Sequence, residues 1–110
     1  MNSADTQLVK EFLLQLQQNI CRGIEGLDSQ AQFKTDRWDR EEGGTGISRV
    51  ISNGDVIEKG GVNFSAVEGV LPDSITNALG VDNNEFFASG VSIVLHPYSP
   101  HVPIIHMNVR

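Results

Sequence analysis

The chain has 110 residues, of which 39% are hydrophobic and 20% are charged, a composition typical of one globular domain with a modest core. Its net charge of −6 argues against a nucleic-acid binder, because such proteins need a basic surface that displaces counterions. No apolar run approaches the ~20 residues that span a bilayer, the N-terminus lacks a secretory signal, and a lone Cys21 excludes an internal disulfide, so we expect a cytoplasmic protein.

The first predicted element is an amphipathic helix from about Asp5 to Leu27. Apolar residues recur in it at steps of three and four, which is typical of a helix with one buried stripe. The stripe consists of Val9, Phe12, Leu13, Leu16, Ile20, Ile24 and Leu27. Glutamines and lysines fall on the outer side, so we expect the helix to cover one face of a sheet.

The next segment contains Asn53-Gly54, a dipeptide typical of two-residue type I′ hairpin turns. Two strand-like segments, ISRVIS and DVIEKG, flank this turn. A two-residue loop predicts three cross-strand pairs: Ile51 with Val56, Arg49 with Glu58, and Val50 with Ile57.

Beyond this hairpin the pattern changes twice. Gly60-Gly61 predicts a break or a bulge before a further strand from Val62 to Val67. Pro72, Gly80 and several polar residues predict that Glu68 to Asn84 is mostly loop.

Phe86 to His96 is the clearest predicted strand, because its side chains alternate between two kinds. One face is apolar and belongs to the core; it carries Phe87, Ser89, Val91, Ile93 and Leu95. The other face is mostly small and carries Ala88, Gly90, Ser92, Val94 and His96. Three prolines then prevent further pairing and predict a stiff connection: Pro97, Pro100 and Pro103.

The final segment, IIHMNVR, predicts a strand with one oily side and one polar side. If its pairing with the preceding strand joins residues whose numbers sum to an even value, one surface carries Ser92, His96, His106, Asn108 and Arg110. An odd sum would turn Ser92 and His96 toward the side of Met107. We predict the even sum, because the odd one would place a polar row on the oily side.

Each of these residues also has a plain structural interpretation. A histidine is commonly a hydrogen-bonded structural residue, and the five-residue spacing of His96, His101 and His106 matches no familiar metal motif. His101 lies between prolines, where solvation is the simpler expectation. The remaining alternatives are a small filler role for Ser92 and an ion pair with Glu58 or Asp55 for Arg110.

Two other segments lack the context that their chemistry would need. The glycines of EEGGTGISR precede a strand, whereas phosphate loops precede a helix, and Glu41 and Glu42 would repel a phosphate. Cys21 lies on the predicted helix beside apolar positions without an obvious histidine partner, so we do not expect a thiol nucleophile.

The order of these elements predicts an α+β fold. An N-terminal amphipathic helix would pack on an antiparallel, hairpin-connected β-sheet that is part of a larger sheet flanked by helices. No repeat or linker divides the chain, so we assign residues 1–110 to one domain.

Three segments resemble oxygen-dependent coproporphyrinogen III oxidases of the haem pathway. They are WDREEGGTGISRV, EKGGVNFS and GVSIVLHPYSPHVPIIHMNVR, and the similarity extends over nearly the whole chain. In such enzymes two propionates of coproporphyrinogen III are oxidatively decarboxylated to vinyl groups, which gives protoporphyrinogen IX. Molecular oxygen is the oxidant, and no flavin, haem or nicotinamide is required; a divalent metal has been proposed for some members. The resemblance also implies a homodimer.

The resemblance assigns roles to individual residues. Ser92, Asn108, Val109 and Arg110 would bind substrate. His96 and His106 match histidines suggested as metal ligands, and His106 also matches the suggested proton donor. A guanidinium suits a propionate and an imidazole can move protons near neutral pH, so the residue types agree with these roles.

The resemblance also sets limits. Ile104 and Ile105 stand where relatives tend to carry a smaller or hydroxylated residue. Family members continue well beyond Arg110, so we expect an N-terminal fragment that is inactive on its own. The alternatives are a non-catalytic fragment that binds a tetrapyrrole or a metal, and a gene fragment without independent function.

Overall fold

A computed structural model describes residues 3–110 of the chain, with the side chain of Ser3 left aside. Its helices are α1 (Ser3–Leu27) and α2 (Asp73–Leu79). Its strands are β1 (Lys34–Asp39), β2 (Gly44–Ser52), β3 (Ile57–Val70), β4 (Glu85–Pro97) and β5 (Ile105–Val109). The five strands form one sheet in the order β1-β2-β3-β4-β5, and all neighbours are antiparallel. The predicted α+β class and the hairpin-connected sheet are therefore confirmed.

Helix α1 packs across β3 and β4 on one face of this sheet. Its contribution to the core is Leu13, Cys21 and Ile24, and the strands contribute mainly aliphatic residues around Phe64. The predicted core face of β4 is confirmed, because Val91, Ile93 and Leu95 are buried there. Among the described residues, no helix is both long and apolar enough to cross a bilayer.

The buried stripe of α1 differs from the predicted one. Phe12 and Leu27 are 64% and 78% exposed, so they lie beside the stripe. Gln17, expected on the outer side, is buried, and its Nε2 donates to the carbonyl oxygens of Ile47 (2.7 Å) and Val62 (2.9 Å). The prediction failed here because a long amide can be buried when backbone carbonyls satisfy its donors.

The β2–β3 hairpin exists, but its predicted register and turn are wrong. The ladder pairs Ile51 with Gly60, Arg49 with Val62 and Val50 with Gly61. A type I′ turn needs positive φ at both central residues. Asn53 has a positive φ of 59°, whereas Gly54 does not have a positive φ. The loop therefore covers residues 53–56 and is two residues longer than predicted.

The carboxylate of Asp28 accounts for this longer loop. It accepts the backbone N–H groups of Asp55, Val56 and Ile57 at 2.9–3.2 Å, so the loop wraps around it. A Cβ at Gly54 would collide with this carboxylate, which explains the glycine by contact and not by turn geometry. The charge of Asp28, the residue that follows α1, thus overrides the local turn preference.

Two further predictions about the middle of the chain are wrong. β3 continues through Gly60-Gly61, and its register irregularity toward β4 lies earlier, between Ile57 and Lys59. A Cβ at Gly60 would lie 2.7 Å from Leu95 Cδ2, so a larger residue there would force Leu95 to shift. The segment predicted as loop contains the end of β3 and helix α2. Gly80 ends α2 in the left-handed conformation (φ 68°), a common way to close a helix.

Candidate functional site

The register between β4 and β5 decides which side chains share a surface. The ladder pairs Val91 with Val109, Ser92 with Asn108, and Val94 with His106, so every pair sums to an even number. The predicted register is confirmed. By strand alternation, Ser92, His96, His106, Asn108 and Arg110 therefore belong to the sheet face opposite α1.

This open face is polar across several strands. Hydrogen-bonded neighbours form one row that runs from Ser48 through Asn63 and Ser92 to Asn108. Successive members of such a row lie ~4.5–5.5 Å apart, so their hydroxyl and amide groups can reach the same ligand. These four residues carry hydrogen-bond donors and acceptors without a formal charge, and the row continues on β1 to the carboxylate of Asp36, which pairs with Ser48.

A pocket of about 420 Å³ lies on this face. Six side chains relevant to ligand binding line it: Trp38, Ser48, Asn63, Ser92, Asn108 and Arg110. The volume falls within the range of small-molecule sites. We call this cavity the sheet-face pocket.

Arg110 supplies the positive charge of the sheet-face pocket. Its side chain lies over Gly90, where an added Cβ would be 3.2 Å from Arg110 Cγ. Within residues 3–110 its guanidinium forms no ion pair, and the carboxylate of Asp55 accepts hydrogen bonds from Ser29 instead. The alternative in which a neighbouring carboxylate neutralises Arg110 is therefore not realised, and the guanidinium is available to an anionic ligand.

The histidines occupy different positions. His106 is exposed and pairs with Val94, whereas His96 is half-buried and pairs with Lys59. His96 lines a second cavity of about 500 Å³ beneath the proline-rich connection. His101 is exposed in that connection, as expected. The two strand histidines lie on the same face of the sheet, but neither of them lines the sheet-face pocket.

His96 and His106 fit a metal only in part. Their positions are diagonal across the β4–β5 pair, which corresponds to a Cα separation of roughly 7–8 Å. A structural zinc site needs four ligands and a catalytic one three. The described part of the chain offers no group of three or more His, Cys, Asp or Glu side chains placed to hold a metal. The cation of Lys59 beside His96 also opposes a divalent ion there.

Cys21 and the glycine-rich segment agree with their structural interpretations. Cys21 is buried on the core side of α1, and this burial raises the pKa of its thiol despite the nearby Arg49. A higher thiol pKa leaves less thiolate for nucleophilic attack. Gly43, in the turn between β1 and β2, and Gly44, the first residue of β2, both have positive φ values, which agrees with a turn that leads into a hairpin.

Several residues of the sheet-face pocket were not predicted from the sequence. Strand β1 was not predicted, because all six of its residues are exposed and show no apolar alternation. Trp38 was therefore overlooked. Ser48 and Asn63 were missed because their shared row depends on the β2–β3 register, which was predicted wrongly. The available indication was the alternation of small polar residues with buried aliphatics in β2 and β3.

The family model described as coproporphyrinogen III oxidase matches residues 8–110. The matched range contains all five strands and every residue of the sheet-face pocket named above.

Proposed function

Because the chain belongs to the coproporphyrinogen III oxidase family, we propose that its sheet-face pocket binds coproporphyrinogen III for oxygen-dependent decarboxylation. Each reacting propionate loses carbon dioxide and two hydrogens and becomes a vinyl group. Molecular oxygen accepts two electrons and two protons and leaves as hydrogen peroxide. The macrocycle is electron-rich, so the protein's task is to hold the substrate and to move protons.

The observation that carries this proposal is the even register of β4 and β5. It brings Ser92, Asn108 and Arg110 to one cavity on the face that α1 leaves open. The guanidinium of Arg110 would bind a propionate through two parallel hydrogen bonds. Ser92 and Asn108 would orient the same carboxylate or a pyrrole N–H, and the backbone of Val109 would help to position that edge.

His106 is the proposed proton donor. It is exposed on the same face as Arg110, four residues earlier in the chain, and an imidazole can both donate and accept a proton. It would therefore exchange a proton with the macrocycle. A metal held by His96 and His106 remains a prediction, and no step of this scheme depends on it.

Binding of coproporphyrin, the fluorescent oxidised form of the substrate, tests the assignment of Arg110. We expect Arg110→Ala to weaken binding by roughly tenfold or more, because a charge-assisted hydrogen bond is lost. The matched control is Arg37→Ala, since Arg37 is an exposed arginine on the opposite face of the sheet. Equal affinities of the wild type and the Arg110 variant would contradict the proposal.

Catalytic turnover makes a further demand on the chain beyond substrate binding. Edge strand β5 exposes Ile105 and Met107 on the side where α1 packs, and such a surface normally needs a cover. We therefore expect the 110-residue chain alone to bind coproporphyrin without converting coproporphyrinogen III under air. Clear formation of the vinyl product would refute this expectation. The homodimer implied by the resemblance and the cytoplasmic location expected from the composition stay predictions as well.

A further inference from the structure

Trp38 forms the end of the sheet-face pocket opposite Arg110. It lies on edge strand β1 and is 39% exposed. The cross-strand row that starts at Trp38 continues through Gly46, Ser65 and Gly90. Arg110 lies beside Gly90 at the far end of the row. Five strands separated by four steps of about 4.8 Å place the two backbone ends roughly 19 Å apart.

Glycines allow both end residues to lean over the sheet. A Cβ at Gly46 would collide with the indole ring of Trp38, so the ring lies against the backbone of β2. A Cβ at Gly90 would likewise meet the side chain of Arg110. Ser65 lies in the middle of the row, and its small side chain leaves space above the sheet between the indole and the guanidinium. The pocket thus has one aromatic end and one cationic end.

The two ends differ in the chemistry that they recognise. A guanidinium binds carboxylates of many shapes, whereas a broad indole surface favours flat, π-rich rings. The other side chains facing the pocket are mostly small or polar: Ser48, Asn63, Ser92 and Asn108. Trp38 therefore provides the large aromatic surface that the pocket offers to a ligand.

We propose that Trp38 is a specificity-determining residue that packs against a pyrrole ring while Arg110 holds a propionate of the same molecule. This inference rests on the proposed function and deepens it. It predicts that the pocket selects cyclic tetrapyrroles over other polycarboxylates because a ring and an acid are held at opposite ends.

The test measures coproporphyrin affinity of the chain and its variants through the fluorescence of the porphyrin. We expect Trp38→Ala to weaken binding about tenfold, and Trp38→Phe to retain most of the affinity because a smaller aromatic face remains. Tyr98→Ala is the matched control, since Tyr98 is an exposed aromatic residue that does not line the sheet-face pocket. Circular dichroism would verify that each variant is folded.

Salt dependence separates the two ends of the pocket. The loss caused by Trp38→Ala should be the same at low and high ionic strength, whereas the loss caused by Arg110→Ala should shrink as salt increases. A merely structural role of Trp38 would not produce this difference, because a general distortion would also weaken the salt-sensitive contact.

Gly46→Ala tests the position of the indole without removing it. The added methyl group should displace the ring and weaken binding about as much as Trp38→Ala does. In the Trp38→Ala background the same change should have little further effect, because the space is empty. Additive losses from the two substitutions would contradict the proposal.

The outcomes distinguish this inference from the proposed function. Absence of coproporphyrin binding by the wild-type chain would overturn both. Binding that depends on Arg110 but changes less than twofold in Trp38→Ala would overturn the inference and leave the proposed function standing. A loss in Trp38→Ala that Trp38→Phe does not restore would also count against an aromatic contact.

Discussion

At the scale of single residues, Asp28 shows how one buried charge can organise two loops. Its carboxylate accepts the backbone N–H groups of Gln30 and Ala31 just after α1, and those of three consecutive residues at the β2–β3 hairpin. These hydrogen bonds, that of Ile57 foremost, hold the pKa of the Asp28 carboxyl well below its ordinary value. The charged form therefore ties the end of the helix to the hairpin.

This arrangement predicts a pH-dependent contribution to stability. Because the folded-state pKa is lowered, the contribution is complete above the unfolded value near 3.9 and disappears as the pH falls toward the folded value. We expect Asp28→Asn to lower the midpoint of thermal unfolding at neutral pH, and the gap from the wild type to narrow below about pH 4. Thermal unfolding monitored by circular dichroism across this pH range measures both effects.

Asp82→Asn is the control for this experiment, because Asp82 is an exposed carboxylate between α2 and β4. Its substitution should leave the unfolding midpoint nearly unchanged at every pH. A constant gap between Asp28→Asn and the wild type down to strongly acidic pH would show that the carboxylate charge is not the cause.

At the scale of elements, helix α1 covers one sheet face and leaves the other to the pocket. The helix therefore contributes to the candidate function indirectly, by burying the odd-numbered side chains of β4 so that Ser92 and His96 face the open side. Gln17 strengthens the same contact, because its amide bridges the carbonyls of β2 and β3.

Two adjacent residues of α1 test which face of the helix is buried. Leu13 is 3% exposed, whereas Phe12 is 64% exposed. We expect Leu13→Ala to reduce the free energy of unfolding by about 2–5 kcal/mol, since it removes buried methyl groups and leaves a cavity. Phe12→Ala should change it by no more than about 0.5 kcal/mol. Denaturant unfolding measures both, and equal losses would contradict the packing of α1.

At the scale of the whole molecule, both the chain and the proposed substrate are acidic. A net charge of −6 repels a tetra-acid at long range, so binding must depend on a few well-placed cations. Arg110 is placed at the sheet-face pocket, and Lys59 lies near the second cavity with His96. Local geometry, and not overall charge, is therefore what the proposed substrate would recognise.

The proposed metal site would join two strands, because His96 lies on β4 and His106 on β5. If His96 and His106 hold a divalent ion, His96→Ala and His106→Ala should each weaken Zn²⁺ binding by at least about tenfold. His101→Ala is the control, since His101 is exposed in the connection between the two strands. Calorimetric titration with Zn²⁺ measures these affinities. Unchanged affinity in both strand variants would remove the metal from the proposal.

Much of the fold could be predicted from local patterns. The helix, the core face of β4 and the even register of β5 follow from the spacing of apolar residues. A strand with one buried face has an apolar residue at every second position, and a helix has one at every third or fourth position. The turn at Asn53-Gly54 and the loop assignment from Glu68 to Asn84 were wrong. In the first case a distant carboxylate, which no local pattern contains, determined the loop length.

Local patterns and motifs were enough to predict the α+β class, the family, and the polar side of β5 together with Arg110. The pocket that joins these residues to Trp38, Ser48 and Asn63, and the shape that Asp28 gives to the β2–β3 hairpin, depend on contacts between distant segments. The difference lies in the range of the interactions. Alternation is a property of one strand, whereas a pocket across five strands depends on every register between them, and a shift in one register displaces the side chains that would meet.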